Sequence, residues 1–369
     1  QAKLLIDGPQ THKAMLAAIR DARDHVNLES YIITDDEVGL KLAELLRTKR
    51  KQGVRINVMY DSVGGLDTPK EYFDGLRADG IAVCEFNPVN PLKAKGDWRV
   101  NNRNHRKLLI VDGVVGFTGG VNISGVYSTG SFGSGTKSPE QGWRDTHVRF
   151  EGPVVREAQK LFLNGWRSQE HCPAVETAHY YPSIEKRGAR VMRLMASTPD
   201  QGSETYATLL SALHHAERSA DLTYGYFVPD QRTLDTLKDA ARRGVEVKLL
   251  LPAFSDFWAP LYAGRSRYAD LLESGVRIYE RKDALLHAKT AVIDGVWSTV
   301  GSTNLDWRSF VHNYEADLVV LGDDFGAEMS ELFAADLARS HEITLDAWRK
   351  RGVSERLKEF FARQWEYWL

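Results

Sequence analysis

Two stretches of the chain carry the same set of residues able to handle a phosphate ester. The first runs His105-Arg-Lys107-Leu-Leu-Ile-Val-Asp112 and continues to Gly119-Gly120-Val-Asn122. The second runs His287-Ala-Lys289-Thr-Ala-Val-Ile-Asp294 and continues to Gly301-Ser302-Thr-Asn304. Both read H-x-K-x4-D-x6-G-[GS]-x-N. In a chain with 11 histidines, composition alone predicts on the order of 0.04 copies of the H-x-K-x4-D core. Strand alternation puts each histidine and its lysine on one face, about 7 Å apart. Set face to face, the two copies supply two imidazoles, two ammonium groups and two amides, with no carboxylate pair to ligate a metal; no metal or cofactor is expected. Two lysines favour an anion with several negative oxygens, hence phosphate. A neutral histidine can attack phosphorus while a protonated one donates to the leaving oxygen, and imidazole suits both tasks near neutral pH. The two should titrate as a coupled unit.

The remaining motif residues receive supporting roles. Asp112 and Asp294, each followed by glycine, read as hairpin turns. They fall on the opposite face from His and Lys and are expected to support the contact between the two halves. Gly119, Gly120, Gly301 and Ser302 are small, which would let backbone approach a ligand, and Asn122 and Asn304 would add amide donors. Each imidazole needs an acceptor on its second nitrogen to fix the tautomer. Asp145, in Gly-Trp-Arg-Asp145, and Glu315, in Asn-Tyr-Glu315, occupy equivalent places on a later strand of each half. The other histidines, His12, His147, His171 and His312 among them, read as packed or surface residues.

The elements that must position these groups also occur twice. Residues 15–36 align without a gap to 209–230, each a helical pattern followed by a short buried strand. A helix closed by Gly53 or Gly244 comes next, then strands over 54–60 and 245–251, a helix ending at Gly80 or Gly275, and a further strand. This order predicts an α/β fold of two similar lobes, each a mixed sheet flanked by helices, related by a pseudo-twofold with the active site between them. The expected division is a lobe over 1–175, a linker over 176–190, a lobe over 191–345 and an amphipathic C-terminal helix over 346–369.

Composition narrows the class. The 369 residues are 43% hydrophobic and 27% charged with a net charge of −2, so only a local patch could draw the chain to nucleic acid or anionic lipid. No apolar run reaches the roughly 18 to 20 residues of a spanning helix. The chain starts at Gln1, which leaves a preceding anchor or targeting segment open. Cys84 and Cys172 offer no C-x-x-C spacing and no disulfide framework, which fits a reducing compartment.

The duplicated motif resembles that of the phospholipase D superfamily over essentially the whole chain. Within it, the stretch 90–107, the following Phe-Thr-Gly-Gly-Val-Asn-Ile-Ser, Gly-Trp-Arg-Asp-Thr-His-Val and Leu305-Asp-Trp-Arg-Ser-Phe310 are similar to bacterial cardiolipin synthases. The resemblance implies a metal-free mechanism through a covalent phosphohistidine. His105 would take a phosphatidyl group from one phosphatidylglycerol, with His287 as the acid for departing glycerol. His287 would then act as base on the hydroxyl of a second phosphatidylglycerol, a ping-pong transfer. It also implies a bacterial enzyme lying peripherally on the cytoplasmic face of the inner membrane. Many members carry N-terminal membrane helices that this sequence lacks. Motif alone gives reaction type rather than substrate. A hydrolytic phospholipase D is the nearest alternative, a nuclease of the superfamily is disfavoured by the net charge, and a lipid-binding scaffold would have no use for two intact motifs.

The halves differ where a substrate could be chosen. Between Gly80 and His105 the first half carries 13 more residues than its counterpart. This insert holds Lys93, Lys95, Arg99 and Arg103 beside Trp98, a basic patch suited to an anionic headgroup. A Gly- and Ser-rich insert of 12 residues between Asn122 and Asp145 reads as a loop able to cover a site. In the tail, Leu357, Phe360, Phe361, Trp365 and Trp368 recur among charged residues, as in a helix lying at a membrane surface or packed on its own lobe.

Overall fold

The computed structural model describes residues 1–90, 99, 101–128 and 142–364. Two sheets are built in the same strand order. In the first half it runs Ala2–Ile6, Thr146–Glu151, Val115–Gly119, Leu108–Val111, His25–Ser30, Arg55–Asp61, Ala82–Phe86. In the second half it runs Val191–Thr198, Asn313–Leu321, Trp297–Gly301, Lys289–Ile293, Ser219–Tyr224, Glu246–Pro252, Arg277–Arg281, extended at its edges by Gly202–Ser203 and Ser340–Ile343. The last three strands of each seven run parallel, joined by helical crossovers; the others pair antiparallel, with a tight turn joining Leu108–Val111 to Val115–Gly119 and Lys289–Ile293 to Trp297–Gly301. The repeated fold and its α/β class are as the sequence predicts.

Local chemistry explains the element ends. Asp36 caps the helix Glu37–Lys51 by accepting from Val38 and Gly39 N–H, and Asp230, its counterpart, caps Gln231–Arg242 by accepting from Thr233 N–H. Gly53 and Gly244 then stop these helices at φ of 89° and 96°, a conformation only glycine adopts without strain. Asp112-Gly113 and Asp294-Gly295 sit at positive φ, as a two-residue hairpin turn requires.

Strand alternation sorts side chains between two cores. Leu109 and Val111 turn toward the helices of their own lobe, while Leu108 and Ile110 face a core shared with Val292, Val300, Leu318 and Val320 of the other half. Phe162 and Trp166 of helix Val154–Arg167 and Phe325 and Met329 of helix Asp323–Leu337 complete this shared core. Both faces of the central strands are therefore apolar, and the two sheets are held at a fixed distance, which positions whatever projects from their rims.

Two expectations change. Cys84 and Cys172 are joined by a disulfide across a sequence separation of 88, tying strand Ala82–Phe86 to the segment after helix Val154–Arg167. They are a cross-link rather than a pair of free thiols. The tail is two helices, Leu345–Arg349 and Val353–Arg363. The second packs Ala362 on Ala263 and Val228, so it does seat on its own lobe, while Leu357, Phe360 and Phe361 remain 53–60% exposed. Trp365 and Trp368 lie outside the described residues. No helix among the described residues is long and apolar enough to cross a membrane.

Candidate active site

His105 and Lys107 lie in the extended segment just ahead of strand Leu108–Val111, not within it. Lys289 opens its strand and His287 precedes it. The displacement matters because short strands cross between lobes there. Arg103–Asn104 pairs with Asn313 and Tyr314, and Leu285–Leu286 pairs with Trp143 and Arg144. The ladder extends to each histidine: His105 N–H donates to the Tyr314 carbonyl and His287 N–H to the Arg144 carbonyl, both at 2.9 Å. Each catalytic-type histidine is thus held by the residue immediately before the other half's acidic candidate.

The side chains follow the same exchange. His105 Nδ1 lies 3.0 and 3.1 Å from the two Glu315 oxygens and 3.1 Å from the Ser302 carbonyl. His287 Nδ1 lies 2.7 Å from Asp145 Oδ2, with the Tyr127 hydroxyl at 3.5 Å. Acceptors on that side require the proton at Nδ1, which leaves Nε2 with its lone pair. The imidazoles keep 12% and 7% of their side-chain surface exposed. Lys107 Nζ donates to the His105 carbonyl at 2.6 Å, and Lys289 donates likewise to the His287 carbonyl.

The electrostatics are those of one centre. Burial and the two lysines push His287 down to about 4, while Asp145 opposes them. His105 is lowered chiefly by burial, with Glu315 resisting and both Lys107 and Lys289 assisting. Burial takes Lys107 down to about 7 and Lys289 to about 8, with Glu315 and Asp145 among the charges that resist the fall in each. Burial also opposes ionisation of Asp145 and Glu315, but the facing imidazole and lysine charges prevail and hold both carboxyls below their usual range. Each lysine acts on both histidines, so four groups from two halves share one field. A phosphate anion entering it would restore charge to the lysines.

Several motif residues do something other than expected. A Cβ on Gly120 would lie 2.0 Å from Asp145 Oδ1, and one on Gly301 1.8 Å from Asp317 Oδ1. These positions are small to admit a protein carboxylate, not a ligand. Gly119 similarly leaves room for the His147 backbone. The Ser302 hydroxyl exchanges hydrogen bonds with Ala316, and only its carbonyl reaches His105. Asn122 accepts from Ile32 N–H and donates to the Tyr127 hydroxyl, so its amide braces the wall behind His287. Asn304 is buried, its N–H on the Ser309 hydroxyl. Asp112 accepts from the N–H groups of Arg23, Asp24 and His25, and Asp294 from those of Glu217, Arg218 and Ser219. They pin strand starts inside their own lobes, at the far end of each motif strand from the histidine, and do not support the contact between halves.

The basic insert divides. Arg103 is buried, its guanidinium on Ser62, Asp61 and the Asn87 carbonyl, which removes it from any exposed patch. Arg99 is exposed and pairs with Asp200 at 3.6 Å. Lys93, Lys95 and Trp98, and most of the Gly- and Ser-rich insert, lie outside the described residues.

Other residues of the site carry no periodic signal. Tyr31 packs edge-on to His105 with centroids 5.3 Å apart, while Trp143 and Tyr226 flank His287 at 5.1 and 6.2 Å. Tyr127 and Ser309 both stand five places after the motif asparagine, a correspondence that aligned motifs could have exposed. The first touches His287, and the second donates to Glu315 at 3.0 Å. Buried Arg106 reaches the Glu315 and Ser197 carbonyls, and buried Arg144 pairs with Asp336, so each half grips the other beside its acid. Among the described residues the one cluster of three metal-capable side chains is Cys84, His171 and Cys172, on the disulfide rather than at the histidines.

Comparison with known proteins settles the lineage. Residues 15–130 and 209–337 match the family described as "Cardiolipin synthase, PLD-like domain". The chain belongs to this family. It is 35% identical to a cardiolipin synthase of Geobacillus kaustophilus and 34% identical to cardiolipin synthase 1 of Bacillus anthracis, in each case over 98% of this chain and 71% of the relative. Among solved structures, phosphatidylserine synthase of Haemophilus influenzae superposes with a TM-score of 0.70 at 12% identity, covering 99% of this chain and 92% of that one. The fold of this cardiolipin synthase family member is thus that of a phospholipase D-like pair of lobes, and the two match segments fall one in each lobe.

Proposed function

We propose that the protein is a phosphatidyltransferase that makes cardiolipin from two molecules of phosphatidylglycerol, releasing glycerol. The observation that carries the reading is the exchanged pairing of His105 with Glu315 and His287 with Asp145, which readies one ring nitrogen on each half for the same phosphorus. Nε2 of neutral His105 attacks phosphorus and an N–P bond forms. The phosphate's negative charge offsets the lysines that hold His287 low, so His287 takes up a proton at Nε2 and delivers it to the glycerol oxygen as that P–O bond breaks. Glycerol leaves. His287 then removes the proton from a hydroxyl of a second phosphatidylglycerol, whose oxygen attacks phosphorus and expels His105. Lys107 and Lys289 hold the non-bridging oxygens as charge builds on them. Glu315 and Asp145 keep their protons off and stabilise each imidazolium as it forms.

Both substrates are anionic lipids, so the protein works at a bacterial membrane surface. We place it on the cytoplasmic face of the inner membrane. Protease digestion of intact and of lysed spheroplasts reports which face it occupies. The reaction is tested by supplying phosphatidylglycerol vesicles to the purified protein and identifying the products. Cardiolipin with an equal amount of glycerol supports transfer. Phosphatidic acid alone would show water as the acceptor, and a hydrolase.

A further inference from the structure

We propose that an open cleft under helix Val353–Arg363, separate from the histidine pair, binds the phosphate of an anionic phospholipid and seats the protein on the bilayer. The proposal rests on the lipid-surface reading above and names the surface used. The cleft has a volume of about 500 Å³ and is lined by Arg349, Arg351, Arg356 and Arg363 with Glu359 and Phe360. Arg351 is committed to Glu359 through two hydrogen bonds of 2.7 and 2.8 Å, and Arg349 to Glu273. Arg356 donates to the Arg349 carbonyl, and neither it nor Arg363 has a carboxylate partner among the described residues. Two guanidinium groups therefore face the cleft with charge to spare, in the geometry that suits phosphate oxygens.

The charge is local. Residues 345–364 hold six basic and three acidic side chains within a chain whose net charge is −2. The same helix turns an apolar face outward: Val353, Leu357, Phe360 and Phe361 are 53–72% exposed, although the helix is anchored through Ala362. A cationic cleft rimmed by exposed phenylalanines matches an anionic headgroup with its acyl chains alongside, and not a free anion, which would gain nothing from the rim. The surface also leads to the catalytic centre. Helix Trp258–Arg265, on which the tail helix packs, begins with exposed Phe257 and Trp258. These follow Asp256, whose carboxylate accepts from Tyr226, and the Tyr226 ring lies edge-on to His287. Seating this face on a bilayer would bring the His287 wall to the lipid plane.

Flotation of the full chain with phosphatidylcholine vesicles, with and without phosphatidylglycerol, tests the proposal. Wild type should bind the anionic vesicles and release at high salt. Removing two charges in R356Q/R363Q should weaken binding roughly thirtyfold, at about fivefold per basic side chain, R356K/R363K should keep most of it, and F360S/F361S should lose it as well. Wild-type binding by R356Q/R363Q or by F360S/F361S overturns the proposal. So does displacement of wild type by millimolar inorganic phosphate, which would mark a free-anion site. Turnover of detergent-dispersed phosphatidylglycerol by wild type is scored separately. Its absence would sink the proposed reaction while vesicle binding still decides the cleft.

Discussion

Asp145 lies 2.7 Å from His287 although 142 positions separate them, and the bond runs from the first lobe to the second. Glu315 and His105 repeat it in the opposite direction across 210 positions. Each motif histidine takes its acid from the opposite lobe. On the proposed mechanism the interface is therefore part of the reaction machinery, and it is built from backbone: the pairing of Arg103–Asn104 with Asn313 and Tyr314 and of Leu285–Leu286 with Trp143 and Arg144 sets both contacts.

Substitution of these acids should show the exchange. In D145N the amide keeps the shape but cannot stabilise a charged His287, and E315Q does the same to His105. Each should lower kcat by about a hundredfold with little change in KM, consistent with what positioned acid–base groups contribute. Steady-state kinetics on phosphatidylglycerol vesicles measures this, and equal losses in KM alone would contradict it.

Gly120 should tolerate no side chain. The Cβ of G120A would overlap Asp145 Oδ1, so the carboxylate must shift from His287. Overpacking of this kind costs about 1–3 kcal/mol. The melting temperature should fall together with kcat, whereas G53A at an exposed helix end, where nothing lies within 4 Å of a Cβ, should leave kcat alone.

The fold was legible because it was written twice. The 15–36 and 209–230 alignment and the stop glycines gave both sheets, and the doubled motif gave both histidines and lysines. Asp145 and Glu315 were reachable from strand position, but their exchange between lobes was not, since nothing local distinguishes a partner in the same half from one across it. Asp112, Gly120 and Gly301 misled for a related reason. A motif residue can serve the strand beside it, and only the coordinates show that Asp112 holds backbone N–H groups and that Gly120 clears space for an acid. Arg103 looked like part of an exposed basic loop because its partners, Asp61 and Ser62, lie on a distant strand end.

Activity should depend on pH through groups already shifted in the free protein. His105 attacks only when neutral, and its pKa lies below 6.5, so kcat/KM should hold through pH 6.5 and fall on the acid side of it. Lys107 and Lys289 hold phosphate only when protonated, with values of about 7 and about 8, so kcat/KM should decline again as pH rises through that range. A profile flat from pH 6 to 10 would contradict this. K107Q should lower kcat/KM and flatten the alkaline limb.

The disulfide should be structural. Cys84 and Cys172 close a loop of 88 residues, and C84A/C172A should lose about 2–4 kcal/mol of unfolding free energy while kcat stays within twofold. Denaturant titration and thiol counting on the unfolded, unreduced protein check it. Two reactive thiols per chain would show the bond to be absent.

The central claim, that one phosphorus passes through an imidazole held by the opposite lobe, is tested most directly by trapping the intermediate. Phosphatidylglycerol labelled at phosphorus is mixed with enzyme, quenched in alkali where phosphohistidine survives, and the labelled peptide is sequenced. The label should sit on His105, build up before product, and vanish in H105A. Cardiolipin formed with no label on any histidine, or formed at the wild-type rate by H105A, would contradict it.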